Sequence, residues 1–289
     1  MDPSATPTDL PTPVAAALAR PDPPRRGTIE AAGYAWATAA WGEPSDSPLL
    51  LVHGVTSDAG IWWRVGPALA AAGRHAFAFD MPGHGLTGGW RGRHRFVETA
   101  ADVATFVRDT GLDRDDLAVL GHSWGAVVAA HLFEAGIRPA TLVLLDPPAL
   151  TRAELEALMD DPTERPYPSR REAVAAVRAA NPAWSDGDVE AKAEALCRFD
   201  PDAVRAILLG NGAWDAALAA LRAPVAAGIP AWLIRGEWAS GCLIPDERVP
   251  GIAAQLGAER VITIPGAPHS PQRTHPAETV AAVLHALAG

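Results

Sequence analysis

Six short apolar runs, each ending in a turn, constrain this chain more than any other feature. They are LLLV before His53-Gly54, HAFAF before Asp80, LAVL before Gly121, TLVLL before Asp146, AWLIR before Gly236 and RVITI before Pro265. Helical stretches follow them. A strand that is apolar at nearly every position has both faces buried, which is what a parallel sheet covered by helices on both sides requires. Strand–helix alternation of this kind predicts an α/β fold with a doubly wound, mostly parallel sheet. Ahead of it, TIEAAGYAWATAAWG reads as two short strands turning around Gly33.

The alternation breaks between Leu150 and about Asn211, where the sequence becomes rich in Ala, Glu and Arg at helical spacing, punctuated by prolines. That segment is expected to be a helical cap, residues 151–210, inserted after the sixth strand. It would sit over the carboxyl edge of the sheet, where ligands bind in open α/β folds. Residues 25–150 and 211–289 then form the core. Residues 1–24 hold seven of the 27 prolines and read as a flexible tail.

A net charge of −10 with no basic stripe argues against a nucleic-acid partner. Cys197 and Cys242 stand in no metal-ligating or CxxC spacing and read as free thiols of a reducing compartment. No run reaches the roughly 20 apolar residues of a membrane span, and the N-terminus lacks the pattern of a signal peptide. The expectation is a cytoplasmic protein with a small-molecule substrate and no metal or organic cofactor. Neither G-x-x-x-x-G-K-S/T nor H-E-x-x-H occurs, and no G-x-G-x-x-G follows the first strand.

The strongest chemical signal is Gly121-His122-Ser123-Trp124-Gly125, a G-x-S-x-G sequence between a buried-type strand and an Ala/Val-rich helix. A serine at the tip of so tight a turn has strained backbone angles, and side chains two residues to either side would clash. The plainer reading is a serine that caps a helix. The strand before it and the helix after it favour a nucleophile, Ser123.

From about Thr28 onward the chain resembles the α/β-hydrolase superfamily, in its serine-nucleophile, capped, esterase- or lactonase-like branch. The resemblance rests on His53-Gly54, on D-x-P-G-H-G at 80–85 and on G-H-S-W-G at 121–125. It implies a general-base histidine after the last strand, a place held by His269, with His275 as a local rival. It also implies an oxyanion site built from the backbone N–H groups of Val55 and Trp124, with His53 supporting the loop. The superfamily's common position for the acid, three residues past Gly236, is Ala239. Glu237 is then favoured as the acid, because G-E-W-A-S-G and the stretch His269, Ser270, Arg273, Pro276 resemble one branch of the superfamily. Asp146, at the end of the preceding strand, is the alternative.

Ten tryptophans are many for this length. Trp62, Trp63, Trp184 and Trp214 fall where a pocket is expected and are candidates for lining it, favouring an apolar or aromatic substrate. The expected reaction is cleavage of a carboxylic ester or lactone through an acyl-enzyme. C–C bond hydrolysis, amidase or iminopeptidase chemistry and cofactor-free perhydrolysis stay open on the same motif. So does a non-catalytic ligand-binding protein of this fold. The dehalogenases and epoxide hydrolases that share S-W-G's tryptophan carry Asp where Ser123 stands, so an alkyl-ester intermediate is not expected.

Overall fold

The structure, a computed structural model, describes residues 10–214 and 217–289. The described residues open with α1 (Thr12–Ala19) and a hairpin of β1 (Arg25–Ala31) and β2 (Tyr34–Trp41). Its turn residues Ala32 and Gly33 have φ of 49° and 78°, the two left-handed positions that match a tight hairpin to the twist of its strands. Then come β3 (Ser47–Val52), α2 (Val65–Ala71), β4 (Arg74–Phe79), α3 (Phe96–Asp109), β5 (Ala118–His122), α4 (Trp124–His131) and β6 (Thr141–Leu145). Four helices interrupt the sheet: α5 (Arg152–Met159), α6 (Arg170–Ala180), α7 (Asp186–Leu196) and α8 (Pro201–Gly210). After α9 (Arg222–Ala226), the sheet resumes with β7 (Ala231–Arg235), α10 (Val249–Leu256) and β8 (Val261–Thr263). Helices α11 (Pro271–Thr274) and α12 (Pro276–Ala288) end the chain.

The eight strands form one sheet in the order β1-β2-β4-β3-β5-β6-β7-β8. Pairing is antiparallel from β1 through β2 to β4 and parallel from there to β8. The apolar runs are buried on both faces because side chains alternate across a strand. Leu50 and Val52 of β3 join Val119, Leu142 and Leu233 under α3 and α4. Leu49 and Leu51 join Leu120, Val143 and Ile234 under α2 and α12.

The interruption is helical, as expected. Each of its helices starts at a side-chain cap: Thr151, Ser169, Ser185 and Asp200 accept from backbone N–H groups of α5, α6, α7 and α8. Leu155, Val177, Val189, Leu196 and Ile207 are buried and continue the apolar core on the α3/α4 face.

The expected tail is corrected in part. Residues 1–9 lie outside the described residues, but α1 is docked, with Val14 buried and Leu10, Ala17 and Leu18 packed beside it against the α2/α12 face. Trp41 Nε1 donates to the Asp22 carbonyl at 3.0 Å. Proline content misleads here because Pro11 and Pro13 fall at the N-cap and in the first turn of α1, where a missing N–H costs no helical hydrogen bond.

Candidate active site

Ser123 stands between the end of β5 and the first residue of α4, with φ 55° and ψ −125°. A non-glycine residue held there stores about 1–3 kcal/mol of strain, tolerated where the surroundings enforce it. Here they do. A Cβ on Gly121 would lie 2.3 Å from the Gly125 carbonyl oxygen, and one on Gly125 would lie 2.3 Å from that of Val52. Gly54 of the His53-Gly54 pair is also required, since its Cβ would come within 2.9 Å of that of Ser123. The glycines therefore let the elbow, the helix behind it and the loop after β3 close on one another.

His269, beyond β8, reaches back to this point. Its Nε2 accepts from the Ser123 hydroxyl at 3.0 Å, and its Nδ1 donates to Asp146 Oδ2 at 2.7 Å. Asp146 directly follows β6, with φ 43° and fully buried, and its Oδ2 also accepts from the Leu243 N–H at 3.0 Å. The structure thus corrects the favoured acid. Glu237 is exposed, and its carboxylate accepts from the Gly266 N–H at 3.0 Å, bracing the loop that leads to His269 rather than touching the ring. The physical reason is the path of that loop. The Glu237 N–H donates to the Ala267 carbonyl at 2.8 Å, and a Cβ on Gly236 would lie 2.2 Å from the same oxygen. The two loops run in contact as backbone, which leaves the Glu237 side chain on the outer side. His275, the rival histidine, is the N-cap of α12 and bonds Thr274.

Buried, neutral imidazoles lie in the loops around Ser123 and His269. His53 donates through Nδ1 to the Gly54 carbonyl at 2.8 Å and accepts at Nε2 from the Met81 N–H at 2.9 Å. That arrangement needs the neutral ring, and burial pushes its pKa down to about 4. His84 is also buried, with its pKa lowered to about 3 by burial and then by His53. It lies against Trp124, 5.3 Å between ring centroids, so the histidines of HG and D-x-P-G-H-G and the tryptophan of S-W-G form one cluster. Asp80 closes the same loops, accepting from the N–H groups of Ala59 and Leu86 at 2.8 Å each.

Sequence reasoning gave His122 no role. Its Nε2 donates to the His269 carbonyl at 2.9 Å, and its ring lies 4.8 Å from the His269 ring. Burial, then the adjacent His269, holds its pKa well below the ordinary value, so it braces the His269 loop without carrying charge. Its place inside G-x-S-x-G was the available signal.

A cavity of about 420 Å³ opens above Ser123 and His269, roofed by α5, α6, α7 and α8 and the segments between them. Leu155, Leu158, Leu208, Leu243, Trp184 and Trp214 give it apolar walls, and Val55 lines its floor. Trp184 and Trp214 thus fall where the sequence placed them. Trp62 and Trp63 do not. Trp62 is fully buried in the α2/α12 side of the core, and Trp63 lies against Gly187 and donates to Asp188 Oδ1 at 2.9 Å, supporting α7 from beneath. Two charged cap contacts were also missed. Lys192 Nζ of α7 donates to the carbonyl and hydroxyl of Thr56, each at 3.1 Å, and to Glu164 at 2.6 Å. Thr56, with φ 54°, directly follows Val55. Arg273 of α11 donates to the Asp188 carbonyl at 2.8 Å and lies over the Trp184 ring.

The comparisons with known proteins agree with this architecture. The model of the alpha/beta hydrolase family matches residues 49–283. Lipase LipV of Mycobacterium tuberculosis is 28% identical over 269 residues, covering 86% of this chain and 96% of its own length. Among solved structures, E-2-(acetamidomethylene)succinate hydrolase aligns with a TM-score of 0.75 at 19% identity, over 92% of this chain and 99% of that one. The esterase RhEst1 from Rhodococcus sp. ECU1013 aligns with a TM-score of 0.69 at 20% identity, over 93% and 99%. With a match that runs from β3 into α12, this chain belongs to the alpha/beta hydrolase family.

Proposed function

We propose that the protein hydrolyses a carboxylic ester or lactone through an acyl-enzyme on Ser123, with His269 as general base and Asp146 as the acid that orients it. The observation that carries this reading is the His269 ring, which bridges the two partners at 3.0 and 2.7 Å. Asp146 holds the proton on Nδ1, leaving Nε2 free to take the Ser123 hydroxyl proton as Oγ attacks the carbonyl carbon. The buried carboxylate stabilises the imidazolium that results. His269 then returns the proton to the leaving oxygen, and water activated by the same ring clears the acyl group. The developing oxyanion is assigned to the N–H groups of Val55 and Trp124. Trp124 opens α4, so its N–H has no helical acceptor and adds the positive end of the helix dipole. Val55 is held beside Ser123 by the close approach of Gly54.

The lipase and esterase among the proteins it resembles support acyl-oxygen cleavage, and the apolar walls with Trp184 and Trp214 favour an acyl group with hydrocarbon or aromatic bulk. An intact, strained nucleophile in contact with its base argues against a purely ligand-binding role. Labelling with a fluorophosphonate and turnover of a short p-nitrophenyl ester test the reading. Ser123→Ala is expected to lose labelling and at least ~10³ in kcat, with only binding and oxyanion contributions remaining. More than a tenth of the activity surviving in a folded Ser123→Ala protein would sink the assignment.

A further inference from the structure

The cavity carries four charged side chains, Asp161, Glu164, Lys192 and Arg273, and three of them are already occupied. Lys192 directs its donors to Thr56 and Glu164, and Glu164 takes that ion pair together with the Thr56 hydroxyl. Asp161 is turned onto its own loop, accepting from the N–H and hydroxyl of Thr163 at 2.8 and 2.7 Å. Arg273 differs. Its side chain is 2% exposed, yet its one hydrogen bond runs from Nη1 to the carbonyl of Asp188. The Asp188 carboxylate lies 4.0 Å away and is engaged by Trp63 at Oδ1 and by Ser185 and Arg64 at Oδ2. Nε and Nη2 bond no described residue, although neither is sealed within the protein. A buried guanidinium ordinarily satisfies its donors, because removing its charge from water is costly.

We infer that Arg273 is an anion receptor in the acyl pocket, and that the substrate carries a carboxylate in addition to the bond that is cleaved. This rests on the proposed serine hydrolase reading for its place in a reaction. Trp184 covers one face of the guanidinium, 4.8 Å from Cζ to the ring centroid, so the ligand meets the edge that bears Nε and Nη2. That edge is a planar two-donor fork, which matches the two oxygens of a carboxylate. Arg273 is four residues beyond His269, and both line the cavity with Ser270 between them. The carboxylate is therefore read from the same segment that supplies the base. The apolar walls would hold the carbon chain linking the two groups. Arg273 acts here as a specificity determinant and takes no part in bond cleavage.

The test compares p-nitrophenyl hydrogen adipate with p-nitrophenyl hexanoate, which share an acyl chain length and differ in the terminal carboxylate. A charge-assisted hydrogen bond predicts about tenfold to hundredfold higher kcat/KM for the acid ester. In Arg273→Gln the ratio should fall to about one or below, and Arg273→Lys should recover part of it. Calorimetry with glutarate gives a readout independent of turnover: binding to the wild type and loss of binding in Arg273→Gln. Equal or better hydrolysis of the hexanoate by the wild type, with no glutarate binding, overturns the inference while leaving the serine hydrolase reading intact. Absence of fluorophosphonate labelling and of all ester turnover would instead overturn that reading, and glutarate binding would still decide the role of Arg273. Should Arg273→Gln fail to fold, the wild-type ester ratio and the Arg273→Lys titration carry the decision.

Discussion

The sheet edge and the cap that covers it are held together by different means. At the sheet edge, geometry is imposed through backbone: Ser123 and Asp146 both sit at positive φ, three glycines permit contacts no side chain would allow, and the supporting histidines are neutral. The cap adds to its buried apolar side chains a set of charged contacts. Lys192 and Glu164 grip Thr56, and Asp188 gathers Trp63, Ser185, Arg64 and, through its carbonyl, Arg273. Backbone constraint places atoms within tenths of an ångström and resists variation. Side-chain contacts can be exchanged without disturbing the sheet. On the proposed reading, chemistry belongs to the first region and selectivity to the second.

The largest effect expected from this comparison concerns the two acids. Asp146→Asn removes the charge that stabilises the imidazolium and can select the wrong ring tautomer. In a serine protease the equivalent change lowers kcat by about 10⁴, and a comparable fall is expected here. Glu237→Gln keeps a side-chain acceptor for the Gly266 N–H and should cost less than about tenfold. Measuring kcat for both variants on one activated ester decides it, and the reverse order would place the acid on the loop after β7.

A smaller effect should come from the cap. Lys192→Met removes the donors that hold Thr56, the residue after the proposed oxyanion donor Val55, and leaves Glu164 without its cation. Loosening an oxyanion donor should cost less than the 10²–10³ of deleting one, about tenfold in kcat. If kcat on a small ester is unchanged in a folded Lys192→Met protein, the cap contributes nothing to the chemical step and the two regions are fully separate in function.

The last effect appears only in acid. The folded-state pKa of His84, about 3, lies below its ordinary 6.5, so between those values the unfolded chain binds the proton and the folded chain does not. Stability is therefore lost as pH falls through that window, by about 1.4 kcal/mol per pH unit for this group. Asp58, buried against the adjacent Gly85 and raised to about 7 by burial and Asp80, titrates with the opposite sign and masks part of the slope. His84→Phe isolates it: relative to wild type, the variant should gain ground steadily in denaturant midpoint from pH 6.5 to pH 4. A constant difference across that range would show that His84 is protonated in the fold.

What could be read from sequence follows the same division. The central strands, the elbow, the helical interruption and the histidine that meets Ser123 were legible because burial on two faces and tight turns restrict residue type at each position. Asp146 was legible only as an alternative. An aspartate before Pro147-Pro148 also suits an ordinary turn, and its pairing with His269 joins residues 123 positions apart. Arg273 was legible only as one member of the stretch His269, Ser270, Arg273, Pro276, with no role attached to it, and Lys192 carries no local signature. Arginines and lysines on helices usually face water; Lys192 is buried against Thr56 after β3, and Arg273 against Trp184 and Asp188 of the cap. Trp62 and Trp63 misled for the converse reason, since a large aromatic near a pocket is more often part of its foundation than of its wall.

Helix α1 packs against both α2 and α12, so the first helix described and the last one are neighbours on the face of the sheet that the cap does not share. Topologically the chain approaches a closed ring. An expression product begun at Arg25, where composition places the boundary, would strip a layer from that ring and expose the apolar seam of α2 and α12 that Val14 covers. A chain rejoined from Gly289 to the start of α1 and reopened between α7 and α8 would keep every strand pairing of the sheet, with its new ends in the cap.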